Sequence, residues 1–388
     1  MPMELLAPAG GPEQLRMAVH FGADAVYLAG QRWGMRAGAR NFSDDELAEA
    51  VAYAHAHGVA VHVALNTVMH DEDVDALAAW LPWINDAGAD AAIVADLGAL
   101  GLVRSLAPRL AIHVSTQASV MSAAAAEAYA CLGASRVVLA REMTIPQIAE
   151  LRRRTTSELE LEAFAHGSLC MAYSGRCLLS AHLMGEGRSA SRGACAQPCR
   201  WAWELAEERS GQRVEVEQGA DGASYLLSSN DLCMVDHLGE LEGAGVDAIK
   251  LEGRNKGAYY VACVTNAYRH VLDGEAPELW RDELDHASHR PYSTGFYLGS
   301  PTQNPGRVDY ARDRILVAVV EGCRQVGEGS WVVEVTCRNR ASAGDEVFVL
   351  SPGRPVRRFA LGQDLVRNQE RYEVGMPFSV EPLDVLCC

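Results

Sequence analysis

Gly58-Val59-Ala60-Val61-His62-Val63-Ala64-Leu65-Asn66 is the stretch that sets the fold class. The run Val59–Leu65 is short and rich in valine, with apolar residues on both faces. Strands of a parallel sheet covered by helices read this way. Gly58 stands where a helix C-cap glycine belongs. Working outward, the same pattern recurs at Leu5–Ala7, Ala25–Ala29, Ala91–Ala95, Ala111–Val114, Arg136–Ala140, Leu159–Ala165 and Ala248–Leu251. Gly22, Gly88 and Gly133 also sit just ahead of strands. Amphipathic stretches lie between most of these runs. Ser43-x-x-Glu46 and Thr144-x-x-Gln147 have the form of capping boxes that open two of the intervening helices.

Eight such β units within about 270 residues predict a TIM-like (β/α)8 barrel. An open doubly wound sheet would carry a glycine-rich phosphate turn after its first strand. The turn Ala7-Pro8-Ala9-Gly10-Gly11-Pro12 does not fit GxGxxG. After the seventh strand comes a cysteine-rich loop, 167–200, instead of an ordinary helix. It is followed by a β insertion, 201–229, with strands expected at Trp201–Leu205, Arg213–Val216 and Tyr225–Ser228. The barrel is expected to occupy 1–273 and a proline-containing linker 274–311. A small C-terminal all-β, barrel-like domain is expected over 312–388, with strands at Arg314–Val320, Ser330–Val335, Glu346–Leu350 and Arg357–Phe359.

The chain has 388 residues, nearly half of them apolar, which is enough for a large packed domain and a small one. No apolar run is long enough to span a bilayer, and Met1-Pro2-Met3-Glu4 lacks the form of a signal peptide, so a cytoplasmic location with no membrane partner is expected. In a reducing compartment eleven cysteines are expected as thiols or metal ligands. The net charge of −17 repels nucleic acid at long range, so an RNA partner would need a local basic patch. One candidate lies between Cys170 and Arg200, where Arg176, Arg188, Arg192 and Arg200 face one acid, Glu186.

That segment also reads Cys170-x6-Cys177-x17-Cys195-x3-Cys199. A loop rich in glycine, serine and arginine cannot bury four thiols without partners, so a metal centre is expected, with Cys233 as an alternate ligand. Spacing alone does not choose between zinc and iron–sulfur. Cys131, Cys263, Cys323 and Cys337 read as small buried hydrophobes, and Cys387-Cys388 as a mobile tail. A barrel collects its site at the C-terminal ends of its strands. That rule singles out Asn66, Asp96, Gln117, Glu142, His166, Glu252 and Arg254. Glu142, His166 and Glu252 are expected to be catalytic. Arg176, Arg200, Arg254, Asn66 and Gln117 are expected to bind a small anionic substrate. His286-x-x-His289 lacks a third ligand and reads as structural. No HExxH, GxSxG or Walker sequence is present.

Glu162-Ala163-Phe164-Ala165-His166-Gly167-Ser168-Leu169-Cys170, continuing through Ser180, resembles the signature of the U32 peptidase-like family. So do Arg192-Gly193-Ala194-Cys195-Ala196-Gln197-Pro198-Cys199-Arg200, Glu4–Gly10, Asn230–Cys233, Lys250–Arg254 and Tyr292–Tyr297. The stretch between Cys177 and Cys195 is about two residues longer than the family pattern, at Gly185–Ser191. The family name implies a collagenase-like peptidase, yet no nucleophile with an obvious base is visible. Other members imply oxygen-independent hydroxylation of a tRNA wobble uridine, of ribosomal RNA or of a ubiquinone precursor. They imply an iron–sulfur cluster, taken as 4Fe–4S, and, for the RNA reactions, prephenate as oxygen source. The C-terminal β domain resembles the tRNA branch, so the resemblance implies 5-hydroxyuridine formation with tRNA as a transient partner. The alternatives are a collagenase-like peptidase, and a cluster-bearing scaffold or hydroxylase component for ribosomal RNA or a ubiquinone precursor; a protein partner or a homo-oligomer is the expected assembly.

Overall fold

A computed structural model describes residues 3–170, 172, 177–201, 205–206, 213–214, 229–299 and 313–388. Strands β1 (Glu4–Pro8), β2 (Ala25–Leu28), β3 (Ala60–Leu65), β4 (Ala91–Val94), β5 (Ala111–Val114), β6 (Arg136–Val138) and β7 (Glu160–Ser168) pair in parallel, each with the next. The insertion contributes the antiparallel pair β8 (Leu205–Ala206) and β9 (Arg213–Val214), and the neighbouring residues expected as strand, 202–204 and 215–216, lie with Tyr225–Ser228 outside the described residues. Strand β10 (Asp231–Cys233) follows, and β11 (Ala248–Leu251) then pairs in parallel with both β7 and β1. That double pairing closes an eight-stranded barrel.

Helices α1 (Pro12–His20), α2 (Asp44–Ala56), α3 (Asp71–Ala87), α4 (Leu97–Leu106), α5 (Ala123–Cys131) and α6 (Ile145–Arg154) alternate with the strands. They are joined by α7 (Leu179–Met184), α8 (Leu238–Gly243) and α9 (Ala258–Leu272). Both capping boxes are formed, at Ser43/Glu46 and Thr144/Gln147. Gly88 closes α3 at φ 85°, a left-handed conformation that a side chain resists. The main apolar cluster lies between strands and helices, where alternate residues such as Leu5, Val26, Val61 and Val63 point outward. Inside the barrel Leu6, Ala25, Tyr27 and Ile93 form a small apolar group.

The rest of the barrel interior is polar. Arg136 holds Glu4 at 2.7 Å and Glu162 at 3.2 Å, and Lys250 holds Glu162 at 2.9 Å. The rings of His62 and His113 meet edge to face at 4.7 Å. Arg136, Glu162 and Lys250 each have an opposite partner, which is the condition for tolerating a buried charge.

The stretch expected as a linker contains structure of its own. Helix α10 (Arg281–His286) is followed by β12 (Tyr292–Ser293), which pairs with β10, and β10 runs antiparallel to the end of β7. Arg290 is 1% exposed and binds Asp231 at 2.6 Å, fastening this stretch to the barrel. His289 stacks on Tyr292 with centroids 4.2 Å apart. Beyond it a six-stranded antiparallel sheet forms from β13 (Leu316–Gly327), β14 (Ser330–Cys337), β15 (Glu346–Ser351), β16 (Arg354–Ala360), β17 (Arg371–Met376) and β18 (Val385–Cys387). The order is β16-β15-β18-β13-β14-β17, so the last strand is interior. Cys387 is therefore buried and no tail, because both edges of its strand are hydrogen-bonded, to β13 and to β15. Cys263 and Cys337 are buried as expected, whereas Cys131 is exposed, because it faces out at the end of α5. Glu13–Arg338 at 2.8 Å, His20–Asp384 at 3.2 Å and Gly353 N–H to His270 Nε2 at 3.1 Å tie the sheet to the barrel. Among the described residues no helix is long and apolar enough to cross a membrane.

Arg290→Ala leaves the Asp231 carboxylate buried without its cation. The expected loss is about 3–5 kcal/mol of unfolding free energy, read by chemical denaturation. The double variant Arg290→Met/Asp231→Leu is expected to lose distinctly less, because it leaves no charge behind.

Candidate functional site

At the C-terminal end of the barrel the strand-end residues converge on Glu252, which directly follows β11. Arg36, from the loop after β2, donates through Nε to Oε1 at 3.1 Å. Arg141, just past β6, stands 3.7 Å from Oε2, lies over the Phe164 ring at 3.6 Å and donates to the Ser168 carbonyl at 2.8 Å. Burial pushes the Glu252 carboxyl up, but the two guanidinium groups outweigh it and hold the group below the usual carboxylate range. Glu252 is thus a fixed anion that aims two arginines. Arg254 is 3% exposed, and among the described residues neither its Nη1 nor Arg141 Nε has a hydrogen-bond partner. Burial lowers the Arg254 guanidinium to about 10, so it stays charged at neutral pH.

Two glycines permit this packing. A Cβ on Gly10 would stand 1.9 Å from the Arg254 carbonyl oxygen, and one on Gly167, at φ 104°, 2.4 Å from the Glu252 carbonyl oxygen. Asn66 accepts from the Met35 N–H at 3.1 Å and donates to Ser115 Oγ at 3.2 Å, which also caps Gln117 N–H at 3.3 Å. These groups enclose a chamber of about 40 Å³ inside the barrel mouth, floored by Tyr27, Phe164 and Lys250.

Above it opens a cavity of about 550 Å³ that shares Met35, Arg36, Gln117, Arg141 and Glu252 with the chamber. Cys170, Cys177, Cys195 and Cys199 all line it. The loop that carries them is stapled by Ser180, whose buried hydroxyl accepts from Ala196 N–H at 2.9 Å and donates to the Arg188 carbonyl at 2.6 Å. Gln197, in a left-handed conformation at φ 59°, turns its N–H onto Cys195 Sγ at 3.3 Å. Such an N–H stabilises a thiolate. The four cysteines share one cavity wall. Among the described residues no three cysteine, histidine or acidic side chains are gathered for a single ion. A polynuclear cluster, whose irons stand apart, accepts the wider spacing, and four cysteines are its usual donor set. A thiolate at Cys170 would be felt by both Arg36 and Arg141.

Other expected site residues fall elsewhere. Opposite β11, residues Phe164 and His166 of β7 pair with the consecutive Lys250 and Leu251, so Ala165 is an extra residue. This bulge breaks the alternation and turns His166 outward among Tyr260, Tyr268 and Tyr292. Its Nδ1 lies 3.3 Å from the Tyr268 hydroxyl, and burial lowers it to about 3. Cys233 pairs with His166, lies 3.8 Å from the Tyr268 hydroxyl and is pushed up by burial, away from the four other cysteines. Glu142 lines neither cavity, and burial pushes its carboxyl up. Asp96 caps α4 through Gly98 and Ala99 N–H. Arg176 and the side chain of Arg200 lie outside the described residues. Arg36, Arg141 and Lys250 were not singled out. Arg141 adjoins the chosen Glu142, and β6 ends at Val138, so pleat alternation does not reach it.

The family model described as peptidase family U32 matches residues 10–306. This chain belongs to peptidase family U32. Among curated U32 relatives, the chain is 36% identical to "tRNA hydroxylation protein P1" of Bacillus subtilis (strain 168), over 90% of this chain and 83% of the relative. It is 41% identical to an "uncharacterized protease" of Methanocaldococcus jannaschii, over 78% and 74%. It is 38% identical to a 23S rRNA 5-hydroxycytidine synthase of Escherichia coli (strain K12), over 74% of this chain and 41% of that longer protein.

In this U32 protein a folded-state His166 value of about 3 lies below the unfolded value of about 6.5. As pH falls below about 6.5 the unfolded chain binds a proton that the native state refuses, so native stability falls until about pH 3. His166→Phe is expected to flatten the acid limb of a stability-versus-pH curve by on the order of 1 kcal/mol per pH unit.

Proposed function

We propose that this chain is an RNA-hydroxylating enzyme that forms 5-hydroxyuridine at the tRNA wobble position without molecular oxygen. In this reading prephenate supplies the oxygen atom. A 4Fe–4S cluster is held by Cys170, Cys177, Cys195 and Cys199. The observation that carries the reading is the joining of two spaces, a four-cysteine cavity above and a cationic chamber below. The relative named for tRNA hydroxylation supports it over most of both chains, and the relative named for 5-hydroxycytidine synthesis points to the same pyrimidine carbon. The cluster supplies one-electron transfer.

The chain's own residues handle charge and orientation. Arg36, Arg141 and Arg254 exceed Glu252 in charge, which suits a dicarboxylate in a protein of net charge −17. The unpartnered Arg254 Nη1 and Arg141 Nε offer two donors in a buried space, where an anion leaves little water to compete. Glu252 fixes the forks of Arg36 and Arg141 before the substrate arrives. Asn66 and Gln117 set the far wall.

A peptidase mechanism finds no support in the same cavity. Among the described residues no histidine lines it, and Glu252 is locked between arginines. The Ser180 hydroxyl is already spent on two backbone groups. Lys256 Nζ reaches the Ser288 hydroxyl only at 3.5 Å and donates to the Ser288 carbonyl at 2.7 Å, so it is occupied as a donor.

Nucleoside analysis of tRNA from a strain lacking the gene tests the reading. Loss of 5-hydroxyuridine, restored by the wild-type gene and not by Cys177→Ala, is expected; unchanged 5-hydroxyuridine would refute it. Anaerobically purified Cys177→Ala is expected to lose bound iron and visible absorbance, and zinc in the wild-type protein would overturn the choice of metal. Calorimetry on cluster-loaded Arg254→Lys is expected to show prephenate binding weakened by about ten- to a hundredfold, since the planar fork is lost. Homogeneous wild-type protein is expected to leave gelatin intact.

A further inference from the structure

We infer that the rim between the loop after β2 and the cysteine loop is the docking surface for a single-stranded RNA loop. Arg32 and Arg188 are its free phosphate contacts. The inference rests on the proposed hydroxylation and adds the surface and the class of RNA.

Charge is distributed unevenly between the two ends of the barrel. From Ala29 to Ser43 the chain carries Arg32, Arg36 and Arg40 and no acid. From Cys177 to Trp201 it carries Arg188, Arg192 and Arg200 against Glu186. At the opposite end, the loops that lead into the strands carry Asp24, Asp90, Glu158 and Asp247 against Arg109. A polyanion approaching a protein of net charge −17 meets six arginines against one acid along these two stretches, at the end where the cavity opens.

The two loops form one continuous rim. Ala37 N–H donates to the Gly193 carbonyl at 3.3 Å, and Val68 N–H to that of Ser191 at 3.0 Å. A Cβ on Gly193 would lie 2.7 Å from the Gly34 carbonyl oxygen, so the backbones touch there. Arg40 and Arg192 are engaged by Glu46 and Asp73. Arg32 and Arg188 are exposed and hold no carboxylate among the described residues. The Arg32 guanidinium lies 4.5 Å above the Trp33 ring, which holds it at the surface. Beside them Leu178, 81% exposed, and Met184, 50% exposed, present apolar surface next to the cysteines. An unpaired base that covers this surface removes apolar area from water.

The reaction selects the class of RNA. In an A-form duplex, C5 of a pyrimidine faces the deep, narrow major groove, which side chains do not enter. A base must be unpaired to reach a cavity of about 550 Å³ behind this rim.

The test is fluorescence anisotropy of cluster-loaded full-length protein with a labelled RNA hairpin that has uridine in its loop. A duplex of equal length serves for comparison. The variants are Arg32→Glu, Arg188→Glu and their double, with Arg109→Glu at the far end as control. Iron content and melting temperature establish that each variant is folded and loaded. The double variant is expected to bind the hairpin at least about tenfold more weakly. Its log affinity against log salt should be shallower by about 1.4, the loss of two single-strand phosphate contacts. Arg109→Glu is expected to bind as wild type does. Wild-type affinity in the double variant, or equal wild-type affinity for hairpin and duplex, would overturn the inference. Wild-type protein that binds no hairpin while the deletion strain lacks 5-hydroxyuridine would sink this surface and leave the proposed reaction standing. Weakened hairpin binding with 5-hydroxyuridine retained in the deletion strain would do the reverse.

Discussion

Everything at the mouth of this barrel is organised around one buried carboxylate. Glu252 sits at the end of the closing strand and pulls two guanidinium groups inward, Arg36 from the loop after β2 and Arg141 from the end of β6. Three distant segments are thereby held at one point. Uncompensated, any of these charges would cost several kcal/mol to bury. Together they leave a surplus of positive charge facing the chamber, with donors on Arg254 and Arg141 still unspent. The close backbone approaches at Gly10 and Gly167 allow this point to form, because a side chain at either would collide with the strand that carries Glu252 and Arg254.

The cysteine loop is built onto that floor by contacts of its own backbone. Gly193 rests on Gly34 and Met35, Ser191 receives the Val68 N–H, and Ser180 binds the two arms of the loop from within. The loop thus needs no apolar core. Its four thiols are left facing a cavity that opens directly above the arginines. One face of the cavity suits a soft metal centre and the other a hard anion, and the two share the same guanidinium groups.

Below the mouth the barrel departs from the usual branched apolar filling. Glu162 is buried between Lys250 and Arg136, and two histidines fill the space beside them. Burial lowers His62 to about 4 and holds His113 well below the usual imidazole range, so both pack as neutral rings. In the C-terminal sheet the last strand lies between β13 and β15, and the turn between β15 and β16 donates the Gly353 N–H to His270 of α9.

The sequence by itself determined the local and periodic features. Apolar runs of strand length, capping boxes at Ser43 and Thr144 and glycines at helix ends are short-range signals, and they specify eight β units and the face on which the site lies. The four cysteines were legible because thiols in a polar loop have few other uses. Only the tertiary structure decided what depends on phase and on long-range pairing. The bulge at Ala165 turned His166 from the site into the helix layer. Strand β10 took Cys233 with it. Arg36 and Arg141 reached Glu252 from more than a hundred residues away in the chain, beyond the reach of any local pattern. The terminal Cys387 became interior because sheet order is set by which edges find partners, and chain position does not reveal that.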